Sequence, residues 1–276
     1  MRRSTWLYLV PLILLASGAQ AAAVSPPGVN LRWDACYGDG GVWNKTFACD
    51  TNGGTERLVG SFELAQPFNQ VSGLEIYVDL SAQGATLPPW WTYKNAGTCR
   101  PTSLNSNPTV PPASVICVDW SQGFASGGLA AYSMGNHGPQ TARIIAGFAV
   151  PASDLADLNA GQEYYAFTMT INHAKTVGTG ACAGCDVPVC IFLSRILLVT
   201  PPVVGQPSRD FQLDRGANYL GSQYVTWQNG YPINVQQQCD VPSFLCNRHY
   251  TSFGCVLATP TSSHGSTWGQ LKSSYR

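Results

Sequence analysis

Ten cysteines carry most of the latent chemistry of this chain. They fall as Cys36-x12-Cys49, Cys99-x17-Cys117, Cys182-x2-Cys185-x4-Cys190 and Cys239-x6-Cys246-x8-Cys255. Thiols of this kind crosslink, hold metal or attack substrates, and the redox compartment decides which. Cys182-x2-Cys185 has the knuckle spacing of a zinc site, with Cys190 or His173 as further ligands. A zinc site of the common kind needs a second knuckle, and Cys239-x6-Cys246 is too wide for one. Disulfides are therefore the favoured reading for all ten, with no metal and no cofactor expected. Suppose Cys36 pairs with Cys49, and Cys99 with Cys117. The two remaining blocks then hold three cysteines each, and full oxidation requires at least one bond between them. That bond would tie the C-terminal part of the chain to the rest.

Three other constellations touch on catalysis. Ala131-Tyr132-Ser133-Met134-Gly135, with His137 close by, has the outline of a nucleophile elbow. The mechanism needs that serine on a strand-to-helix turn above a parallel sheet, and neither is visible in the pattern. A glycosidase needs two carboxylates flanking the bond it cuts. Asp119 beside Trp120, and Asp34 near Asp39, are the acids to inspect, and they read as turn or strand-edge residues. Asp50-Thr51-Asn52-Gly53-Gly54-Thr55-Glu56 opens like a calcium loop. It lacks the third acidic ligand and the distal glutamate, so it reads as a turn. No catalytic residue is assigned, and the chain reads as a non-catalytic protein ahead of an enzyme.

Pro89-Trp90-Trp91-Thr92-Tyr93 is the strongest hint of binding. Flat rings in a Pro-rich loop offer a stacking surface to a sugar or a partner protein, which makes Trp90, Trp91 and Tyr93 the candidate ligand-binding residues. The competing reading has the same rings plugging the end of a core. Asn44-Lys45-Thr46 matches the N-glycosylation acceptor pattern, which would make it an exposed site.

The elements that must position these residues read as strands. Leu74 to Leu80 is apolar at even positions, and Tyr165 to Ile171 carries large apolar groups at odd ones. Each set falls on one face of a strand and scatters around a helix. Further strands are expected over Leu58 to Leu64, Ser114 to Trp120, Ala142 to Val150 and Val189 to Val199. The last is nearly continuous in apolar residues, as expected of a central strand covered on both faces. Ser153 to Asn159 offers a single helical turn, and Thr267 with Gln270 a capping box. Gly 28 and Pro 19 supply many turns between the strands. The expected fold is all-β: an antiparallel β-sandwich, immunoglobulin-like or jelly-roll-like. Pro201-Pro202 and Pro207 end the last strand, and Asn, Gln, Ser, Tyr and Cys replace the alternation. Residues 202–276 are expected to form a mostly irregular, disulfide-tethered extension with a hairpin, and residues 22–201 the sandwich.

Arg2 and Arg3, the apolar run from Trp6 to Ala16 and the small residues Ala19 and Ala21 form a secretory leader over residues 1–21. The run is too short to span a bilayer, which takes roughly 20 apolar residues. Once the leader is cleaved, no transmembrane segment is expected, and the chain is secreted or held at the cell surface. Its 15 basic and 15 acidic side chains cancel, which leaves no footprint for nucleic acid or anionic lipid.

The chain resembles a loose group of secreted bacterial proteins with Gly-rich, Cys-containing β domains. Gly28-Val29-Asn30-Leu31-Arg32-Trp33 through Cys36, Val150-Pro151, Leu158-Asn159-Ala160-Gly161, Cys182-Ala183-Gly184-Cys185 and the closing Thr267 to Arg276 carry the resemblance. These segments form no motif of known activity. The middle of the chain also resembles cohesin-like and carbohydrate-binding sandwiches, through a strand pattern that many sandwiches share. The resemblance implies a binding or structural protein whose partner is a glycan or another surface protein. The alternatives are an extracellular hydrolase of polymers and a surface-layer or appendage subunit.

Overall fold

The computed structural model of the chain describes residues 28–110, 116–214, 222–239 and 248–257, with backbone alone at 234–239, 248–253 and 257. The leader and the Thr267–Gln270 motif lie outside the described residues. The strands are β1 (Gly28–Trp33), β2 (Asn44–Lys45), β3 (Thr55–Glu63), β4 (Phe68–Val71), β5 (Gly73–Ala82), β6 (Leu104–Asn107), β7 (Val118–Asp119) and β8 (Ser126–Met134). Then come β9 (Thr141–Ala149), β10 (Ala156–Leu158), β11 (Glu163–Asn172), β12 (Val189–Val199), β13 (Phe211–Leu213), β14 (Tyr224–Trp227), β15 (Gly230–Cys239) and β16 (Arg248–Leu257).

Two sheets make an all-β sandwich. One has the order β1-β3-β11-β6, with β7 also on β11. The other has the order β2-β14-β12-β5-β9-β8, with β13 also on β12. Pairing is antiparallel except for β7 on β11 and β2 on β14. The inner faces meet in one core, with Val29, Leu31 and Trp33 of β1, Phe62 of β3, and Leu74, Ile76, Val78 and Leu80 of β5. Ala142, Ile144, Ala146 and Phe148 of β9 face the same core. The alternation read in β5 is thus the alternation of its faces.

Bulges turn two strands over partway along. The β3–β11 register shifts between Tyr165 and Phe167. Phe167, Met169 and Ile171 therefore face the main core, while Tyr165 packs with Val59 and the Cys36–Cys117 bond on the outside. The odd-numbered set read from sequence as one face is split between two. In β12 the register shifts between Leu193 and Arg195. Ile191 and Leu193 point inward before the bulge, and Ile196 and Leu198 after it. Phe167 also needs Gly60 opposite it, because a Cβ there would lie 2.1 Å from the ring.

The crosslinks are Cys36–Cys117, Cys49–Cys185, Cys99–Cys182 and Cys190–Cys255. The supposed local pairs are corrected: Cys36 and Cys49 bond to different elements, as do Cys99 and Cys117. The sheets bring together cysteines far apart in sequence, which spacing alone does not reveal. The expected bond between the two triplets is present as Cys190–Cys255. Cys239 and Cys246 lie outside the described side chains. The zinc reading is also corrected, because Cys182, Cys185 and Cys190 are each taken up in a disulfide.

Among the described residues of 202–276, four strands are present, and Cys190–Cys255 tethers them to the sandwich. β13 and β14 pair with β12, and β15 and β16 form the hairpin. Ser153 to Asn159 is not a helical turn; it contains β10, whose Ala156 pairs with Val71 of β4. Of the strand expected over Ser114 to Trp120, the described residues contain the two-residue β7.

Candidate functional site

Trp90, Trp91 and Tyr93 are each 0% exposed. They occupy a 3-10 turn, Pro89–Trp91, and the chain just after it. Trp90 and Trp91 each pack 5.5 Å from Trp227, and Tyr93 packs 5.5 Å from Tyr132. Arg100 seals the cluster, with its guanidinium carbon 3.5 Å from the centre of the Trp90 ring. It donates to the carbonyls of Trp90, Ala174 and Asn172. The Trp90 indole donates to Thr176 at 3.0 Å. Cys99–Cys182 and Cys49–Cys185 staple the surrounding loops. A stacking platform needs an open ring face, and these rings have none. The assignment of Trp90, Trp91 and Tyr93 as ligand-binding residues is therefore corrected: they plug the end of the core.

The acids considered for catalysis are engaged in holding loops. Asp119 accepts from the Ser121 amide at 2.9 Å and the Gly123 amide at 2.7 Å. Asp39 accepts from the amides of Ile116 and Cys117. Lys45 joins Asp34 at 2.7 Å and also contacts Glu56. Burial works to lower the Lys45 pKa, but its bonds to Asp34 and Glu56 outweigh this and hold it above its ordinary value. Glu56 in turn contacts His173 at 2.9 Å. The turn over Asp50 to Glu56 is closed by Asn52, which accepts from the amides of Thr176 and Val177.

Ser133 and His137 form no elbow. Ser133 lies in β8, antiparallel to β9, and its hydroxyl donates to Asn136 at 2.8 Å. His137 meets Arg143 at 2.9 Å. Arg143 grips buried Asp79 with two bonds of 2.7 and 2.9 Å, and Ser194 at the β12 bulge donates to the same carboxylate. The bond to Asp79 raises the Arg143 pKa against the effect of burial. Asn44 of the acceptor pattern is half-buried, not exposed, and its side chain bonds Asn229 and Thr226.

Among the described residues, part of one sheet face is open. The outer face of the larger sheet is covered at one end, where Cys190 and Phe192 pack with Cys255 of the hairpin. Beyond the β12 bulge, Arg195, Leu197 and Val199 are half-exposed, as are Glu75 and Tyr77 on β5 and Ile145 and Gly147 on β9. A shallow groove of about 630 Å³ crosses β5, β9 and β8 here. Its floor is bare at Gly147, where an added Cβ would meet nothing closer than the Leu74 carbonyl at 3.9 Å. Tyr77 stands at its side, directly opposite Arg195 on β12 and Ile145 on β9. Arg195 lies over one face of the ring and pairs with Glu75. The neighbouring Glu75 carboxylate raises the Tyr77 pKa, with burial adding to the effect.

Sequence reasoning passed over this groove, although the polar positions of β5 are its signal. It also passed over Trp43, which is 54% exposed beside β14, at the opposite edge of the sheet from β8. No protein-family model, curated protein or solved structure matches this chain.

Proposed function

We propose that this protein is an exported, non-catalytic binding protein that holds an extracellular polymer in the groove across β5, β9 and β8. One observation carries the reading: among the described residues nothing covers this half of the sheet face, while the hairpin covers the other half. Sheet faces without a function are normally buried or studded with solvated charge. Here the floor is glycine and aliphatic, and the wall is an aromatic ring fixed by an ion pair.

The compartment fits. Four disulfides belong to an oxidising environment, and among the described residues no helix is long and apolar enough to cross a membrane. The hydrolase reading has less support, because the acids it would use already bond loop amides and lysine. The appendage reading needs an edge strand open along its length. β8 ends its sheet, but β6 stands beside it, with the Ser106 carbonyl 3.3 Å from where a Cβ of Gly128 would lie.

The test is a binding screen of the oxidised full chain against glycans and extracellular proteins, with Gly147→Leu as its partner. Gly147 has room for a side chain, so this variant fills the groove without disturbing the core. Binding by the parent and loss by the variant is the expected outcome. Equal binding by both removes the groove as the site.

A further inference from the structure

We infer that the groove takes a neutral polysaccharide strand. The inference rests on the proposed binding role and names its ligand class.

Charge points to a neutral ligand. Among the described residues, each ionic group around the groove has an opposite partner at contact distance. Glu75 is paired with Arg195, and Arg143 with Asp79. An acidic polymer would need cations free to meet it, and a basic one would need free acids. The described residues offer neither, and breaking Arg143 from Asp79 would leave a buried carboxylate without its cation.

Backbone pairing points the same way. The groove lies over β5, β9 and β8. The amides and carbonyls of β5 and β9 beneath it are already spent in the β5–β9 and β9–β8 ladders. A peptide laid there gains no main-chain pairing, which is the usual source of affinity when a sheet binds an extended peptide. What remains to the ligand is a flat apolar floor at Gly147 and Ile145 and an aromatic wall at Tyr77. The Glu75 carboxylate and the Ser126 hydroxyl supply polar contacts. Sugar rings offer the matching surfaces: apolar ring faces for the floor and wall, hydroxyl groups for the polar atoms.

The wall is also rigid. Tyr77 is held by Arg195 at 3.9 Å, has the Arg143 guanidinium carbon 5.5 Å from its ring centre, and stands across from Ile145. A wall already fixed loses little side-chain entropy on binding.

The experiment is isothermal titration of the oxidised full chain with three probes: a neutral β-glucan, an acidic polyuronate and an uncharged extended peptide. Each is run at low and at high salt. The expected result is binding of the glucan with affinity unchanged by salt, and at least tenfold loss in both Gly147→Leu and Tyr77→Ala. Circular dichroism and melting of these variants should match the parent. Binding of the polyuronate, with affinity falling steeply as salt rises, overturns the neutral-ligand inference and leaves the binding role standing. Preference for the peptide, blocked by Gly147→Leu, does the same. Glucan binding that survives Gly147→Leu overturns the inference by moving the ligand off the groove. Absence of binding to all three probes overturns the inference too, and the wider screen with the same variant then decides the binding role on its own.

Discussion

The Arg195 guanidinium carbon lies 3.9 Å from the centre of the Tyr77 ring, across the β5–β12 pair. The contact exists because the bulge at Ser194 moves β12 out of register by one residue. Without that shift, Arg195 would follow Leu193 in the alternation and Tyr77 would lose its support. The bulge thus converts a strand that is buried on both faces into one that presents charge on a single face.

Tyr77 and Trp91 should respond to alanine in opposite ways. Trp91 is enclosed by Trp90, Tyr93 and Trp227, so Trp91→Ala should cost about 3–5 kcal/mol. Tyr77→Ala should cost far less and abolish binding. Denaturant unfolding together with ligand titration separates the two. A stable Trp91→Ala protein that no longer binds would reverse the assignments.

Trp43 provides the matching control. It is exposed but stands at the far edge of the sheet from the groove. Trp43→Ala should leave both melting and binding at parent values. Loss of binding in this variant would shift the site to the β2 edge.

The hairpin should come loose when its bond is removed. Replacing Cys190 and Cys255 by alanine should lower the stability of β15 and β16 by about 2–4 kcal/mol. The sandwich core, with its three other bonds, should keep its protection. Hydrogen exchange by segment reads this directly. Exchange that rises uniformly over the whole chain would show that the hairpin and the sandwich unfold as one unit.

Stability should fall at alkaline pH. Burial raises the pKa of Tyr93, Tyr132 and Tyr165 above the ordinary value of 10.0. Their protons are bound more tightly in the folded chain than in the unfolded one. The resulting stability is complete below pH 10 and drains away above it, as the unfolded chain ionises first. Lys45 acts in the same sense, because its folded pKa is also raised above the ordinary 10.5. Unfolding followed by tyrosinate absorbance across the alkaline range checks this. A midpoint that holds steady above pH 10 would contradict it.

How much of this was legible in the sequence varies with the physics involved. The faces of β5 could be read because four apolar residues alternate without a bulge, from Leu74 to Leu80. The faces of β11 and β12 could not be read as single faces, since one inserted residue inverts the pattern. β8 was missed because Ser126, Gly127, Gly128, Leu129, Ala130 and Ala131 offer almost no alternation. Trp90 and Trp91 fitted two readings. Their burial depends on Arg100 and on loops joined by bonds spanning 83 and 136 residues, which no local pattern encodes. The groove depends on where the hairpin stops covering the sheet. Glu75 and Tyr77 were readable as outward-facing, but not as uncovered.

If the ligand lies on Gly147, hydrogen exchange of the oxidised full chain with and without saturating neutral glucan will show it. Added protection is expected in β5, β9 and β8 around Gly73 to Tyr77, Ile145 to Ala149 and Ser126 to Ala130, with none at Trp43 or at Trp90 to Tyr93. Protection at Trp43 or at the Trp90 loop, with the groove unchanged, would contradict it.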